Sequence, residues 1–373
     1  MAKKKYLKMH KYKIWQNRNG DWLTYFPDAK RGRLLKKRKS REDLENDICE
    51  LYKETEENPY IFELFNEWNE RRLELGHIAQ STYDKNIRIF NRHYSELGNR
   101  RIKNVSKREF VEFLEEQIAE HNLDSKAFGN LKGITRGFLK RALIRDVINY
   151  SAEDVFNRLD IGRNTFKHKI REDYEEVFDE DEMATLLDYI EAHPEPANLV
   201  IALLFMSGAR IGEAVTIKNE DLGDFTVNIR RTETRYKSDL GHSIYDVKTN
   251  PKTMAGVRVV PIPEHYLWIL ESMKKLNPSG EYVFLNTKGQ RMTGNTVRTR
   301  LKTLCKNLGI YNKSPHKIRK TYGTILLDNH LDRRLIQDLM GHTDVLTTET
   351  HYHRNRKTLE RKHEILSNLP DFR

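Results

Sequence analysis

The sequence predicts a mainly α protein with small β-sheets, an α+β chain of three domains. An Asn19-Gly20 turn between alternating aromatic segments marks a hairpin near the start. From Tyr60 to Ala142 apolar residues recur at helical spacing only, and beyond Asp221 two short strand patterns, FTVNIRR and VRVVPIP, interrupt a helical background. The expected organisation is a three-stranded sheet plus helix over residues 1–56, a four-helix bundle over 60–157, a linker over 158–173 and a mixed α/β domain over 174–373.

Residues 1–41 contain fifteen Lys and Arg against two Asp, a balance of +13 in a chain whose formal net charge is +11. The remainder sums to about −2, so the basic excess belongs to the N-terminus. A run of lysines alone reads as a solvated tail. Here aromatics interleave with the charge in YKIWQ and DWLTYFP, GRLLKKRKS supplies a third strand, and Leu44, Ile48, Leu51 and Tyr52 follow on one helical stripe. A basic strand face fits a DNA groove, with Trp15, Arg18, Trp22, Arg33, Lys36 and Lys37 as candidate contacts. Glu54 to Pro59, acidic and ending in Asn-Pro, reads as a linker.

Ile61, Leu64, Phe65, Trp68 and Leu75 mark the first helix of the bundle. Ser81 caps the second, with Tyr83, Ile87, Phe90, Tyr94 and Leu97 inward. Ser106 and Glu109 form a capping box for the third, and Phe128, Leu131, Ile134, Phe138 and Ala142 line the fourth. These aromatics are core. Outward Arg88, Lys132, Arg136 and Lys140 are candidate DNA contacts, although an ordinary solvated surface explains most such residues. Residues 158–173 mix basic residues with no apolar period, which suits a linker tracking a phosphate backbone and an ordinary connection equally.

The last domain opens where Asp179 caps a helix carrying Met183, Leu186, Leu187 and Ile190. Leu199 to Met206 is an eight-residue apolar run, a buried helix well short of a membrane span. MAKKKYLKMHK lacks the apolar core of a signal peptide. Cys49 and Cys305 stand far apart without histidine ligand spacing, which indicates neither a disulfide framework nor a zinc site. His351 and His353 point apart on a helix and have no cysteine or acidic partner. The expectation is a soluble cytoplasmic protein with no metal, no cofactor and no membrane segment.

The last sixty residues space polar side chains in a way that packing does not explain. In SPHKIRKTYGT, Ser314 and Pro315 start a helix, Ser314 as a side-chain cap, so His316 and Arg319 fall three apart on one face and can point at one small anion. A short helix from Asp332 stops at Gly341, leaving His342 just past its end. Tyr352, the only tyrosine after Tyr322, stands among His351, His353 and Arg354, and a phenol among cations ionises more easily. Upstream, MSGARIGEAV places Arg210 between two glycines at a turn into a helix, with Glu213 three residues on. Two fixed guanidiniums hold the nonbridging oxygens of a phosphodiester and neutralise charge that grows at five-coordinate phosphorus, which makes tyrosine a plausible nucleophile.

With Gly-x-Arg-x-x-Glu, Pro-Lys-Thr before a Val-Pro strand, His-x-x-Arg, Gly-His and Tyr in that order, the chain resembles the tyrosine recombinases, the phage integrase family. The matching residues are Arg210, Lys252, His316, Arg319, His342 and Tyr352. Gly-His to Tyr is often nine residues in the family and is ten here, with His351 at position nine. The resemblance implies that Tyr352 attacks the scissile phosphodiester, forming a 3′-phosphotyrosine and freeing a 5′-hydroxyl without ATP or metal. Arg210 and Arg319 would clamp the phosphate, and Lys252 would protonate the leaving oxygen, with Lys248 the donor if the register is off. His316 would donate to a nonbridging oxygen or take the tyrosine proton, His342 would hydrogen-bond the phosphate, and Glu213 would orient Arg210 or His316.

The resemblance further implies an arm-type DNA-binding domain at 1–56, as in integrases of conjugative transposons and temperate phages, and a core-binding domain at 60–157. Its implied partners are double-stranded DNA at core and arm sites, three further copies in a homotetramer, and possible excisionase and DNA-bending proteins, all at the bacterial nucleoid. The tail beyond Tyr352, with Leu359, His363, Leu366, Leu369 and Phe372, is expected to pack on a neighbouring protomer. Three alternatives stand beside this: a Xer-like resolvase, which lacks the basic sheet module; a type IB topoisomerase-like enzyme acting as a monomer; and a non-catalytic DNA-binding relative.

Overall fold

The computed structural model describes residues 2–28, 32–162, 165–166, 172–238, 241–249, 256–341, 354, 356–357, 361–363 and 367–368. Lys252, His342, Tyr352 and most of the tail lie outside the described residues. The chain forms two compact units, residues 1–168 and 169–373.

The first unit opens with a helix that periodicity did not mark, α1 (Ala2–Met9). Its sequence AKKKYLKM carries no apolar stripe, and tertiary contacts hold it. Lys5 Nζ and Tyr6 Oη both reach the Glu56 carboxylate, at 2.6 and 2.9 Å, and Lys3 bonds Asn46. Strands β1 (Trp15–Gln16), β2 (Trp22–Asp28) and β3 (Gly32–Arg38) make the expected antiparallel sheet in the order β1-β2-β3. Asn17 Oδ1 accepts from the N–H groups of Asn19 and Asp21, closing the β1–β2 turn around Gly20, whose φ is 79°. Helix α2 (Arg41–Glu57), capped by Ser40, buries Leu44 and Ile48. Its length corrects the acidic linker, which is helical as far as Glu57.

Register and pleat sort the candidate DNA contacts into two faces. Trp22, Thr24, Phe26 and Lys36 share the face toward α2, where His10 meets Thr24 at 2.7 Å and Tyr52 at 3.3 Å. Trp15, Tyr25, Arg33, Leu35 and Lys37 share the opposite face, with the Arg33 guanidinium 4.4 Å above the Tyr25 ring. Arg18 is exposed in the hairpin turn.

The bundle is built from α3 (Ile61–Glu74), α4 (Gln80–His93), α5 (Lys107–His121) and α6 (Ser125–Ile144), with a short α7 (Ala152–Phe156) beside them. Phe65, Phe90 and Tyr94 stack at its centre, and the buried Tyr94 hydroxyl pairs with Thr135. The Ser106–Glu109 capping box forms as expected. Two details differ. Helix α4 starts from Ala79, which puts Ser81 inside the first turn, and Leu75 ends α3 in solvent at 55% exposure because the apolar stripe stops before it. Arg88, Arg136 and Lys140 are exposed, Arg136 paired with Glu153 at 2.8 Å, and Lys132 covers the Phe156 ring at 4.9 Å.

The second unit wraps around α10 (Pro196–Ser207), buried from Asn198 to Ser207. Around it lie α8 (Asp173–Glu176), α9 (Glu180–Ala192), α11 (Ile211–Ala214), α12 (Leu267–Leu276), α13 (Gly294–Asn307), α14 (Pro315–Asp328) and α15 (Arg333–Met340). The two expected strands pair antiparallel as β4 (Thr226–Ile229) and β7 (Arg258–Pro261). Between them β5 (Thr232–Lys237) and β6 (Ser243–Lys248) form a second hairpin that its polar sequence concealed. Glu233 locks this hairpin to α13: its carboxylate pairs with Arg291 at 2.7 Å and accepts from the Gly294 N–H at 2.9 Å. Among the described residues, no helix is long and apolar enough to cross a membrane.

Candidate active site

The Arg210 turn depends on both neighbouring glycines. Gly208 ends α10 in the left-handed region at φ 58°, and a Cβ there would lie 2.2 Å from Tyr322 Cδ1. A Cβ on Gly212 would lie 2.9 Å from the Glu233 carbonyl oxygen of β5. Arg210 therefore enters α11 from a fixed backbone. Its N–H donates to Glu213 Oε2 at 2.9 Å and its guanidinium to Oε1 at 2.8 Å, yet the side chain stays 49% exposed.

Glu213 is 3% exposed and carries a second cation, Arg258, at 2.9 Å. Burial pushes its carboxyl up, but Arg258 and then Arg210 outweigh burial and hold it below its ordinary value. Glu213 is thus an ionised acceptor that orients Arg210, not a base.

Arg258 is the site residue that the sequence reading missed; its one signal was a cation heading an apolar strand. Its Nε donates to the Leu339 carbonyl at 2.9 Å, and Arg319 donates to the Gly208 carbonyl at 2.5 Å and to the Met340 carbonyl. Two buried arginines thereby satisfy the last carbonyls of α15 and tie that helix end to the Arg210 turn. Gly341 then ends α15 at φ 62°.

Helix α14 carries His316 and Arg319, but they do not face the same way: Arg319 is 1% exposed and His316 is exposed. The buried guanidinium is drawn inward by the backbone carbonyls at the ends of α10 and α15. Ser314 takes the N-cap position without a side-chain cap bond, a correction to the expected cap, and Pro315 occupies the first turn. Protein atoms crowding the imidazole, then Lys320, Arg319, Lys317 and Arg210, lower the His316 pKa below 6.5. At Glu176 burial would raise the carboxyl, but Lys317 and Lys320 of α14 hold it at about 2. The structure thus gathers Arg210, Glu213, His316 and Arg319.

A half-exposed guanidinium near an imidazole that its cationic neighbours bias toward the neutral form is an arrangement suited to holding an oxyanion and to transfer at phosphorus. Residues 176–358 match the family model described as the phage integrase family. By that match residues 176–358 form a phage integrase family domain, and through it the chain is similar to the tyrosine recombinases. It is 27% identical over 200 residues to the tyrosine recombinase XerC of Staphylococcus aureus, covering 52% of this chain and 62% of that one. It spans about half the length of the curated relatives it matches. In fold it is similar to the Tn1549 transposon integrase in complex with transposon right-end DNA, with a TM-score of 0.61 at 19% identity over 83% of this chain and 99% of that one. It is likewise similar to the lambda integrase tetramer bound to a Holliday junction, with a TM-score of 0.55 at 15% identity over 89% and 95% of the two chains.

Proposed function

We propose that this chain is a site-specific DNA recombinase that integrates and excises a mobile element through a covalent 3′-phosphotyrosine intermediate. The observation that carries the reading is Arg210: a guanidinium held by a buried, doubly paired Glu213 and still half exposed to a ligand. Tyr352 Oη attacks the phosphorus and loses its proton, while Lys252 donates one to the departing 5′-oxygen. The 5′-hydroxyl of a partner strand then reverses the step, so one phosphodiester is remade for each one broken. Arg210 neutralises the five-coordinate phosphorus; Arg319, buried on the Gly208 and Met340 carbonyls, would reach the phosphate only by releasing them and otherwise adds its positive charge from behind, and His342 hydrogen-bonds the phosphate. His316, biased toward the neutral form, either accepts the tyrosine proton or donates N–H to a nonbridging oxygen.

Residues 60–157 would hold core sites and residues 1–56 arm sites, with 158–173 linking to the catalytic domain at 174–373. The aromatic and basic sheet face of Trp15, Arg33 and Lys37 is the better candidate for a groove; Trp22 and Lys36 lie on the face toward α2. The working form is a homotetramer on two duplexes in the cytoplasm, at the nucleoid, with excisionase and bending proteins as accessory partners.

The test is a nicked suicide substrate carrying the element's end, incubated in EDTA and run on a denaturing gel. Wild type should form a protein–DNA adduct and Tyr352→Phe none. If the two behave alike, or DNA is bound without any adduct, the assignment fails.

The lowered His316 pKa gives a second expectation. If His316 takes the tyrosine proton, adduct formation should fall only as pH drops through a range below that of an ordinary imidazole; if it donates N–H, no such limb appears. A single-turnover pH profile checks this: His316→Asn should remove the acidic limb, and a limb centred above pH 6.5 would contradict it.

A further inference from the structure

Phe178 joins two parts of the catalytic unit through its backbone. Its N–H donates to Thr321 Oγ1 at 2.8 Å, on α14 two residues past Arg319, and its carbonyl accepts from Arg356 Nε at 3.0 Å. The Phe178 ring is fully buried and meets Phe205 of α10 edge to face at 5.2 Å, so this peptide is fixed to the core. Arg356 also reaches Met183 Sδ on α9 at 3.5 Å. Two residues earlier, Arg354 Nε stands 3.9 Å from Asp173 Oδ1 on α8.

These ties bracket the Tyr352 segment. Before it, Arg258 and Arg319 hold the Leu339 and Met340 carbonyls; after it, Arg356 holds the Phe178 carbonyl. Four residues of extended chain span at most about 14 Å, so fixing Arg356 bounds the distance of residue 352 from the Arg356 backbone. Arg356 is partly desolvated, which lowers its pKa, while Glu180, Asp328 and Asp179 act on it in the opposite sense. These surroundings suit a structural tie better than a contact to phosphate.

We infer that Arg356 is a positioning residue for the nucleophile: its bond to the Phe178 carbonyl ties the chain just beyond Tyr352 to its own domain's arginine site. The inference rests on the proposed role of Tyr352. It also divides the tail, since Arg356 docks in its own unit whatever the residues beyond it contact.

Wild type, Arg356→Ala and Arg356→Gln are compared on the suicide substrate at saturating protein. Core-site affinity and melting temperature are measured on the same preparations. Arg356→Ala should keep wild-type affinity and melting while its adduct forms about a hundredfold more slowly, the scale of a misplaced reacting group. Arg356→Gln should lose less, because its amide still donates to the Phe178 carbonyl. An Ala rate within about twofold of wild type overturns the inference, as does a rate loss matched by lost affinity or by an equal loss in Gln. If Arg356→Ala does not fold, Arg356→Met, similar in length but without a donor, takes its place under the same criteria. No adduct from wild type on DNA that it binds overturns the role of Tyr352 and this inference with it, whereas a normal wild-type adduct isolates the fate of Arg356.

Discussion

Glu213→Ala is expected to destabilise the catalytic unit by about 3–5 kcal/mol, because it strips the carboxylate from a buried guanidinium. Arg258 is the partner that suffers, with a side chain only 5% exposed, whereas Arg210 at 49% is solvated without help. Adduct formation should fall by about a hundredfold to a thousandfold as well, since Arg210 loses the acceptors that aim it at developing charge. Pairing Glu213→Leu with Arg258→Met separates these effects. Replacing a whole buried ion pair by apolar residues is often close to neutral, so the double variant should recover much of the stability. It should not recover the adduct, because Arg210 remains without its acceptors. Denaturant midpoints and suicide-substrate rates on wild type and these two variants check this. Full stability in Glu213→Ala, or restored cleavage in the double variant, would contradict the geometry described.

What was legible in the sequence depended on how local its cause was. The Asn19-Gly20 hairpin, the Ser106–Glu109 box and the Gly341 stop are set by a few neighbouring residues, and each formed where the pattern put it. Helix α1 and the β5–β6 hairpin are held by partners about 50 and 60 positions away, such as Glu56 for Lys5 and Arg291 for Glu233, so no window of sequence reveals them. The site shows the same division. Arg210, Glu213, His316 and Arg319 stand out because their spacing carries the family pattern, but spacing alone turned Arg319 toward a ligand beside His316. The carbonyls of Gly208 and Met340, which draw it inward, are invisible in a sequence. Arg258 escaped for the same reason: its partners come from α11 and α15. Lys252, His342 and Tyr352 rest on the sequence pattern alone.

Gly208→Ala should be the most damaging single methyl group in the catalytic unit, for two separable reasons. An alanine forced to φ 58° pays about 1–2 kcal/mol in the left-handed region. The new Cβ also meets Tyr322 Cδ1 at 2.2 Å, and Tyr322 is 8% exposed within α14, with little room to retreat. Overpacking of this kind costs about 1–3 kcal/mol more. Asn tolerates the left-handed region, so Gly208→Asn removes most of the first cost and keeps the second; it should remain clearly destabilised. Tyr322→Ala alone leaves a cavity worth about 3–5 kcal/mol, but the new Cβ of Gly208→Ala would grow into that space. The two changes together should therefore cost well under their sum, whereas independent sites add within about 0.5 kcal/mol. Additive losses in a denaturant cycle would rule out the clash. Because Arg319 donates to the Gly208 carbonyl, a shifted turn also moves the second arginine, and adduct formation should fall further than lost stability explains.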